Sequence, residues 1–191
     1  MILKQAASAM RRHGPDGVGV AGIMRGLGLT HGGFYAHFAS KDDLIAHAVA
    51  EMFAESARRY ARDDGLASAA KLAAFIDRYV SEAHRDRPER GCPLTTITGD
   101  IARQSEAAKA AFDAGVARMI EQLAAMLAGM LPGGADAQAA LATSLLSEMA
   151  GAVALSRAVS DRAASNRILA AAREAVRLRA GFTTSNESHA A

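Results

Sequence analysis

Residues 30–44 read THGGFYAHFASKDDL and place two adjacent glycines, Gly32 and Gly33, directly before the aromatic residues Phe34 and Tyr35. A glycine in a helix interior lowers stability by about 1 kcal/mol relative to alanine, so the pair is unfavourable for folding alone. Glycine has no β-carbon, however, and lets the backbone approach a ligand closely. Near a helix start it also leaves N–H groups open to phosphate oxygens. The pair therefore points to contact with an anionic partner.

The residues before this stretch predict two helices, each of which is followed by a turn. Apolar residues at helical spacing predict a helix over 2–13 and another of about two turns over 20–27. Gly28 follows, where a glycine can end a helix in a left-handed conformation. Thr30 is placed to cap a third helix. A short helix, a glycine turn and a second short helix describe a helix-turn-helix, whose second helix enters the DNA major groove.

The aromatic and basic residues of the stretch divide into an inner and an outer set. Phe34 and Phe38 are four residues apart and share a face that can pack on a small core, while His31 and Tyr35 can reach a duplex. Lys41 begins the next helix, where the helix dipole disfavours a cation by about 0.3–1 kcal/mol. A phosphate would reverse this effect, because the lysine and the helix N-terminus would both attract it. Taken singly, each residue has an ordinary structural explanation. The predicted DNA-binding residues are Thr30, His31, Gly32, Gly33, Tyr35, His37 and Lys41.

Composition narrows the class of protein. Half of the 191 residues are hydrophobic and alanine dominates, which favours an all-α fold. No apolar run approaches 18 residues, so we expect no membrane span. The single cysteine, Cys92, fits a reducing cytosol, and we expect a cytoplasmic protein. Residues 1–62 carry 8 Lys+Arg against 5 Asp+Glu, which weakly indicates an anionic partner, although ordinary surface variation explains it equally well.

Further helices follow, separated by glycine, proline and charged segments. An apolar stripe from Phe112 to Met130 predicts one long helix. The predicted later helices are 41–62, which Ser40 and Asp43 cap, about 72–80, 93–102, 112–130, 136–158 and 161–180. Residues 183–191 are predicted to form a frayed tail. No spacing typical of a metal site and no nucleophile with its base is visible, so we expect no cofactor, no metal and no enzyme activity.

The run from Thr30 to Leu44 closely resembles the recognition-helix signature of the TetR/AcrR family of transcriptional regulators. The family pattern is Ser or Thr, then Gly, Tyr, His and Phe, then Ser or Asn, Lys and two acidic residues, and this run meets it. The resemblance covers about residues 2–50. It departs at Met10, where a Phe is usual, and at Gly19, where a Thr often caps the second helix.

The resemblance implies a fold and a function. It implies an N-terminal three-helix DNA-binding domain at 1–45, with helix 41–62 connecting it to a ligand-binding and dimerisation domain at 46–182. The leading hypothesis is a homodimeric repressor that a small-molecule effector releases from a palindromic DNA operator. One alternative is a helical small-molecule-binding protein or enzyme without a DNA role. Another is an adaptor whose basic face binds an acidic protein surface.

Candidate residues in the second domain follow from apolar and small-residue patterns. Core packing is the default explanation of the pattern for an effector pocket. For the dimer face core packing is the alternative, and dimerisation is favoured because a repressor that reads a two-fold operator needs a symmetric partner. The predicted ligand-binding residues are Phe75, Tyr79, Cys92, Phe112, Met119, Ile120, Met126 and Met149. The predicted dimer residues are Leu141, Leu145, Ala152, Leu155, Ile168, Ala172 and Val176.

Cys92 carries a separate hypothesis. It precedes Pro93, which favours the first position of a helix, and Arg90 is close in sequence. A helix N-terminus and a nearby cation both raise thiol reactivity, so Cys92 could sense electrophiles or oxidants. The simpler interpretation is a small buried apolar residue, which is the commoner role of a free cysteine.

Overall fold

The computed structural model describes residues 1–60 and 68–183, apart from the side chains of His31 and Tyr60. Over these ranges the chain forms α-helices and short 3-10 helices and no strand, which confirms the all-α prediction. The α-helices are α1 (Ile2–His13), α2 (Val20–Gly26), α3 (His31–Phe34), α4 (Lys41–Tyr60), α5 (Ser68–Tyr79), α6 (Glu82–Arg85), α7 (Thr98–Ile101), α8 (Glu106–Ala128), α9 (Ala135–Ala158) and α10 (Arg162–Arg179). The 3-10 helices are Pro88–Arg90 and Pro93–Thr95.

The chain divides into two compact units. The first unit comprises Met1–Arg62 and Ala83–Met119, and the second comprises Asp63–Glu82 and Ile120–Ala191. Helices α1 to α4 therefore share their unit with all of α6 except Glu82, with α7 and with the first part of α8. The functional division at residue 45 stays a prediction.

The core of the first unit forms where the apolar faces of its helices meet. Met10, Met24, Phe34 and Leu44 come from α1 to α4, and each is at most 2% exposed. Farther along α4, the rings of Phe53 and Phe112 meet edge to face at 5.4 Å between centroids. Gly115 makes this approach possible, because a β-carbon there would lie 2.2 Å from the Phe53 ring. Two distant parts of the chain thus depend on one glycine to share a core.

The second unit is organised by the packing of α9 along α10. Asp161 caps α10, its carboxylate accepting hydrogen bonds from the backbone N–H groups of Ala163 and Ala164 at 3.0 and 3.3 Å. The hydroxyl of Ser165 donates to the backbone oxygen of Ser156 at 2.6 Å and ties the two helices where both side chains are buried. Capping and one buried polar contact therefore fix how the hairpin turns.

Helix α10 is also tied to α5 within the second unit. The Arg177 guanidinium lies 2.7 Å from the Asp77 carboxylate, and Arg173 donates to the backbone oxygen of Val80 at 3.3 Å. Both contacts lie at least partly in solvent, where such pairs contribute about 0–1 kcal/mol each. They orient α5 more than they stabilise it.

Several predicted boundaries hold, and one predicted helix does not. Helix α1 spans the predicted 2–13, and α9 and α10 begin and end within one residue of prediction. The single helix predicted over 93–102 is wrong: a 3-10 turn at Pro93–Thr95 precedes the separate α7. The Thr95 and Thr96 hydroxyls donate to the backbone oxygen of Cys92 at 2.9 and 3.3 Å. Side chains that bond nearby carbonyls compete with continuous helix.

By length and composition alone, α9 could cross a membrane. An 18-residue window has a mean hydropathy of 1.4, and 39% of it is buried. Core helices of soluble proteins pass the same test, so this finding is weak. The end of the helix predicted over 41–62 and the predicted tail from residue 184 onward lie outside the described residues.

Candidate DNA-binding site

The turn between α2 and α3 has the predicted geometry of a helix-turn-helix. Gly28 has a φ of +69°, a left-handed conformation that a side chain would strain, which confirms its predicted role. The Leu29 N–H donates to the backbone oxygen of Met24 at 2.9 Å and closes the end of α2. The Thr30 hydroxyl accepts from the Gly33 N–H at 3.2 Å, which confirms the predicted cap of α3.

The aromatic residues separate into an inner and an outer set as predicted. Phe34 is 2% exposed and Phe38 is 8% exposed, and their rings stack at 5.5 Å between centroids. Tyr35 is 64% exposed, and its ring meets that of Phe34 at 79° with 5.2 Å between centroids. Helix α3 ends at Phe34 and is shorter than the pattern suggested, because a turn begins where the N–H of His37 bonds back to Phe34 at 2.9 Å.

Packing within the protein does not require a glycine at either Gly32 or Gly33 of α3. A β-carbon at Gly32 would meet nothing within 4 Å. At Gly33 the nearest atom would be the Thr30 hydroxyl at 3.5 Å, an ordinary contact distance. Neither glycine has a positive φ. The fold would therefore accept alanine at both positions, so an external contact explains the glycines better than the core does.

Lys41 sits at the start of α4, where the predicted capping residues are in place. The Ser40 hydroxyl accepts from the Asp43 N–H at 3.1 Å, and the Asp43 carboxylate accepts from the Ala39 N–H at 2.9 Å. The Lys41 ammonium is exposed and donates to the backbone oxygen of Asp16 at 3.3 Å. Within residues 1–60 and 68–183 it pairs with no carboxylate, so its charge remains available to an anion.

The predicted DNA-binding residues lie between the N-cap of α3 and the first residue of α4, and the side chain of His31 is outside the described part of the chain. Thr30, Gly32, Tyr35, His37 and Lys41 are exposed, and Gly33 is half-buried. Sequence reasoning overlooked Arg25, which is exposed in the last turn of α2. Its signal was present, since it is a basic residue in the first helix of a helix-turn-helix, the helix that crosses the DNA backbone.

The predicted ligand-binding residues are distributed over both units. Phe75, Tyr79, Ile120, Met126 and Met149 belong to the second unit, while Cys92, Phe112 and Met119 belong to the first. In the second unit the rings of Phe75 and Tyr79 are 5.7 Å apart, and Met149 is fully buried. In the first unit Phe112 packs against Phe53. These contacts give the residues packing roles, and their effector role stays a prediction.

Cys92 is fully buried at the start of the Pro93–Thr95 turn. Its backbone N–H donates to Nε2 of His84 at 3.0 Å, and its sulfur lies 3.8 Å from the sulfur of Met119. A helix of three residues has a weaker dipole than the one the hypothesis assumed. Arg90 is exposed and lines a cavity to which Cys92 does not belong. Sensing by Cys92 stays a prediction.

The predicted dimer residues differ in how much surface they leave free. Leu145, Ala152 and Val176 are buried within the second unit, so they pack inside the protomer. Leu155 is 55% exposed on α9. The half-buried members are Leu141, Ile168 and Ala172. Leu178, 60% exposed on α10, was not predicted.

Among the described side chains, no group of three or more His, Cys, Asp or Glu could hold a metal ion.

Comparison with protein families gives matches at both ends of the chain. Residues 2–48 match the model of bacterial regulatory proteins of the tetR family. Residues 68–172, more than half of the chain, match the model of the C-terminal domain of LmrA/YxaF-like transcriptional regulators. A search among curated proteins found no match.

Solved structures of the same fold cover nearly the whole chain. Reduced Escherichia coli NemR is 18% identical with a TM-score of 0.77, covering 93% of this chain and 94% of its own. A TetR regulator from Legionella pneumophila is 17% identical with a TM-score of 0.75 and the same coverages. A TetR-family regulator from Agrobacterium tumefaciens is 23% identical with a TM-score of 0.73, covering 91% and 94%. At these identities the likeness shows the fold alone.

The two family matches cover different helices of the fold. The first covers α1, α2, α3 and the start of α4, and therefore includes the whole helix-turn-helix. The second covers α5 to α9 and part of α10. The chain belongs to the TetR family and is a ligand-responsive, DNA-binding transcriptional regulator.

Proposed function

We propose that the protein is a homodimeric repressor that binds a palindromic operator and leaves it when a small-molecule effector binds its C-terminal helices. The observation that carries the DNA-binding part is the outer surface of α3. A β-carbon at Gly32 would meet no atom within 4 Å, and Tyr35 is exposed beside a buried Phe34. Both features are unfavourable or neutral for the fold and favourable for contact with a duplex.

The roles of the surface residues follow from their chemistry. Backbone N–H groups near the start of α3 would approach a phosphate closely because Gly32 has no β-carbon. Tyr35 would contact the duplex through its ring and hydroxyl, and Lys41 and Arg25 would contact phosphates. Effector binding and operator binding would oppose each other by the same free energy in both directions. Because its partner is DNA, we expect the protein to act in the cytoplasm.

Operator binding tests the proposal through three single substitutions. Gly32→Ala, Tyr35→Ala and Lys41→Ala should each weaken binding by about tenfold or more, since each removes or obstructs a contact with a charged phosphate. Lys41→Ala should also lower the slope of log affinity against log salt by about 1. Fluorescence anisotropy with DNA flanking the protein's own gene measures both quantities.

Gly99→Ala is the matched control for this series. Gly99 is also exposed in a short helix of the first unit, and a β-carbon there would meet nothing within 4 Å. It should bind DNA like the wild type. Wild-type affinity in Gly32→Ala and Tyr35→Ala, with unchanged circular dichroism, would show that α3 is not the reading helix. If the wild-type protein binds none of the flanking DNA, the result would favour the small-molecule-binding alternative.

Dimerisation is best tested at Leu155, the predicted interface residue that keeps most of its surface. Leu155→Arg should raise the dimer dissociation constant by more than tenfold, because burying an unpaired charge in an interface is strongly unfavourable. Sedimentation at micromolar concentration measures it. Ala137→Arg, an exposed position at the other end of α9, is the control and should leave the dimer intact. An unchanged dimer in Leu155→Arg would place the interface elsewhere.

A further inference from the structure

The first unit contains a cavity lined only by polar and charged side chains. Its volume is about 440 Å³, and it lies where α1, the end of α4 and the Pro88–Arg90 turn meet. The lining includes five basic residues, Lys4, Arg11, Arg59, Arg87 and Arg90. Two carboxylates, Glu55 and Glu89, leave the lining with a net charge of +3. We refer to this site as the basic cavity.

Arg11 forms the fixed wall of the basic cavity. Its side chain is 2% exposed, and its guanidinium bonds to the Glu55 carboxylate at 2.7 Å and to the backbone oxygens of Gly91 and Met52 at 2.9 and 3.1 Å. These bonds join α1, α4 and the segment that carries the Pro88–Arg90 turn. Three hydrogen bonds therefore hold the Arg11 guanidinium in one place beside the other cations of the basic cavity.

The outer cations of the basic cavity are available to a ligand. Within the described parts of the chain, Lys4, Arg87 and Arg90 form no ion pair or side-chain hydrogen bond, and all three are exposed. Glu55 is already bonded to Arg11, so only Glu89 is left to offset them. Several like charges around one cavity repel each other, and an anion that bridges them would relieve that repulsion.

We propose that the basic cavity binds a small multivalent anion, a molecule with two or more phosphate or carboxylate groups. Guanidinium groups suit this chemistry because they bind both phosphate and carboxylate oxygens through paired N–H groups. A volume of about 440 Å³ falls within the roughly 300–1,000 Å³ of small-ligand sites. Its charge of +3 matches a dianion or trianion better than a neutral effector.

The position of the basic cavity separates it from the DNA-binding surface. Lys41 begins α4 and Arg59 lies 18 residues later on the same helix, which corresponds to about 27 Å along the axis. Lys4 and Arg11 contribute from the α1 face that carries the cavity, whereas the duplex-facing residues lie on α3 and the first turn of α4. The anion is therefore a separate ligand and not the DNA backbone.

Isothermal titration with pyrophosphate, and in a second arm with citrate, tests the proposal at low and matched ionic strength. The wild type should show one saturable site per protomer for at least one of the two anions, and the comparison identifies whether phosphate or carboxylate is preferred. Arg87→Ala and Arg90→Ala should each weaken binding by about tenfold or more, because each removes a charge-assisted contact. Ser8→Glu, which adds a carboxylate to the lining, should weaken it at least as much.

Arg12→Ala is the matched control, since Arg12 is exposed on α1 but does not line the cavity. It should keep wild-type anion affinity, and all variants should keep wild-type helicity. No saturable binding of either anion, or equal loss in Arg12→Ala and Arg87→Ala, would overturn the proposal. Loss of operator affinity in Arg87→Ala or Arg90→Ala without any anion would overturn it too, because the cavity would then contact DNA. Operator binding by the wild type is independent of these outcomes, so the proposed repressor function would stand if this inference failed.

Discussion

Phe34→Ala is expected to lower the free energy of unfolding by about 3–5 kcal/mol, the usual range for truncating a buried aromatic residue. Phe34 is 2% exposed and stacks on Phe38. Helix α3 has only four residues, so its own hydrogen bonds cannot hold it in place. Loss of the ring should therefore release α3 from the core of the first unit and abolish DNA binding as a consequence.

Urea denaturation followed by circular dichroism measures this effect, because the chain has no tryptophan to report unfolding. Tyr35→Ala is the matched control, because the Tyr35 residue is 64% exposed and its ring forms an edge-to-face pair with Phe34. That contact contributes about 0.5–1.5 kcal/mol, so the control should unfold near the wild type while still losing operator affinity. Equal destabilisation by the two substitutions would contradict the division into inner and outer aromatic residues.

The sequence predicted the helix-turn-helix well because its determinants are local. Three hydrogen bonds at the starts of α3 and α4 each join residues within four positions. The Gly33 N–H donates to the Thr30 hydroxyl, the Asp43 N–H to the Ser40 hydroxyl, and the Ala39 N–H to the Asp43 carboxylate. The left-handed Gly28 likewise depends on its own backbone and the helix that it ends. Such features depend on short-range chemistry that one sequence contains. The exposure of Tyr35 and Lys41 beside these local features was predictable for the same reason, and their role in DNA binding stays a prediction.

Longer-range features were harder to predict. Helix α9 is apolar on several sides, so periodicity could not show which side would meet α10. Leu145 and Leu155 both fitted the predicted dimer face, yet one is fully buried within the protomer and the other is 55% exposed. The burial of Gly115 against Phe53 joins positions 62 residues apart and leaves no local pattern. Contacts of this kind depend on how the helices pack and not on the sequence of either helix alone.

The burial of Arg11 is the clearest case of a feature that local sequence conceals. In MRRHG it resembles its neighbour Arg12, which is exposed. Its partners are Glu55 and the backbone oxygens of Met52 and Gly91, which lie 41 to 80 residues away. A basic residue at the end of a helix ordinarily interacts with the helix dipole and solvent. Arg11 is buried because its own helix packs against two distant segments, one that carries Met52 and Glu55 and one that carries Gly91.

Arg11→Ala is expected to lower the free energy of unfolding by about 3–5 kcal/mol, because it breaks a buried ion pair and leaves its partners unsatisfied. Glu55 is only 20% exposed and would lose its countercharge, and the backbone oxygen of Gly91 would lose a donor in a buried environment. Arg11→Lys should recover only part of the loss, since an ammonium cannot reach three acceptors in the fork geometry of a guanidinium. Urea denaturation of both variants measures the effect.

Arg12→Ala is the matched control for this prediction as well, and as a surface substitution it should change stability by no more than about 0.5 kcal/mol. The double substitution Arg11→Ala with Glu55→Ala removes both charges, and it should be more stable than Arg11→Ala alone because no buried carboxylate is left unpaired. If Arg11→Ala unfolds like Arg12→Ala, or if the double substitution is the less stable, the Arg11–Glu55 pair does not hold α1 on α4. A confirmed loss would instead show that the Arg11 side chain helps to hold α1, α4 and the segment before Cys92 together.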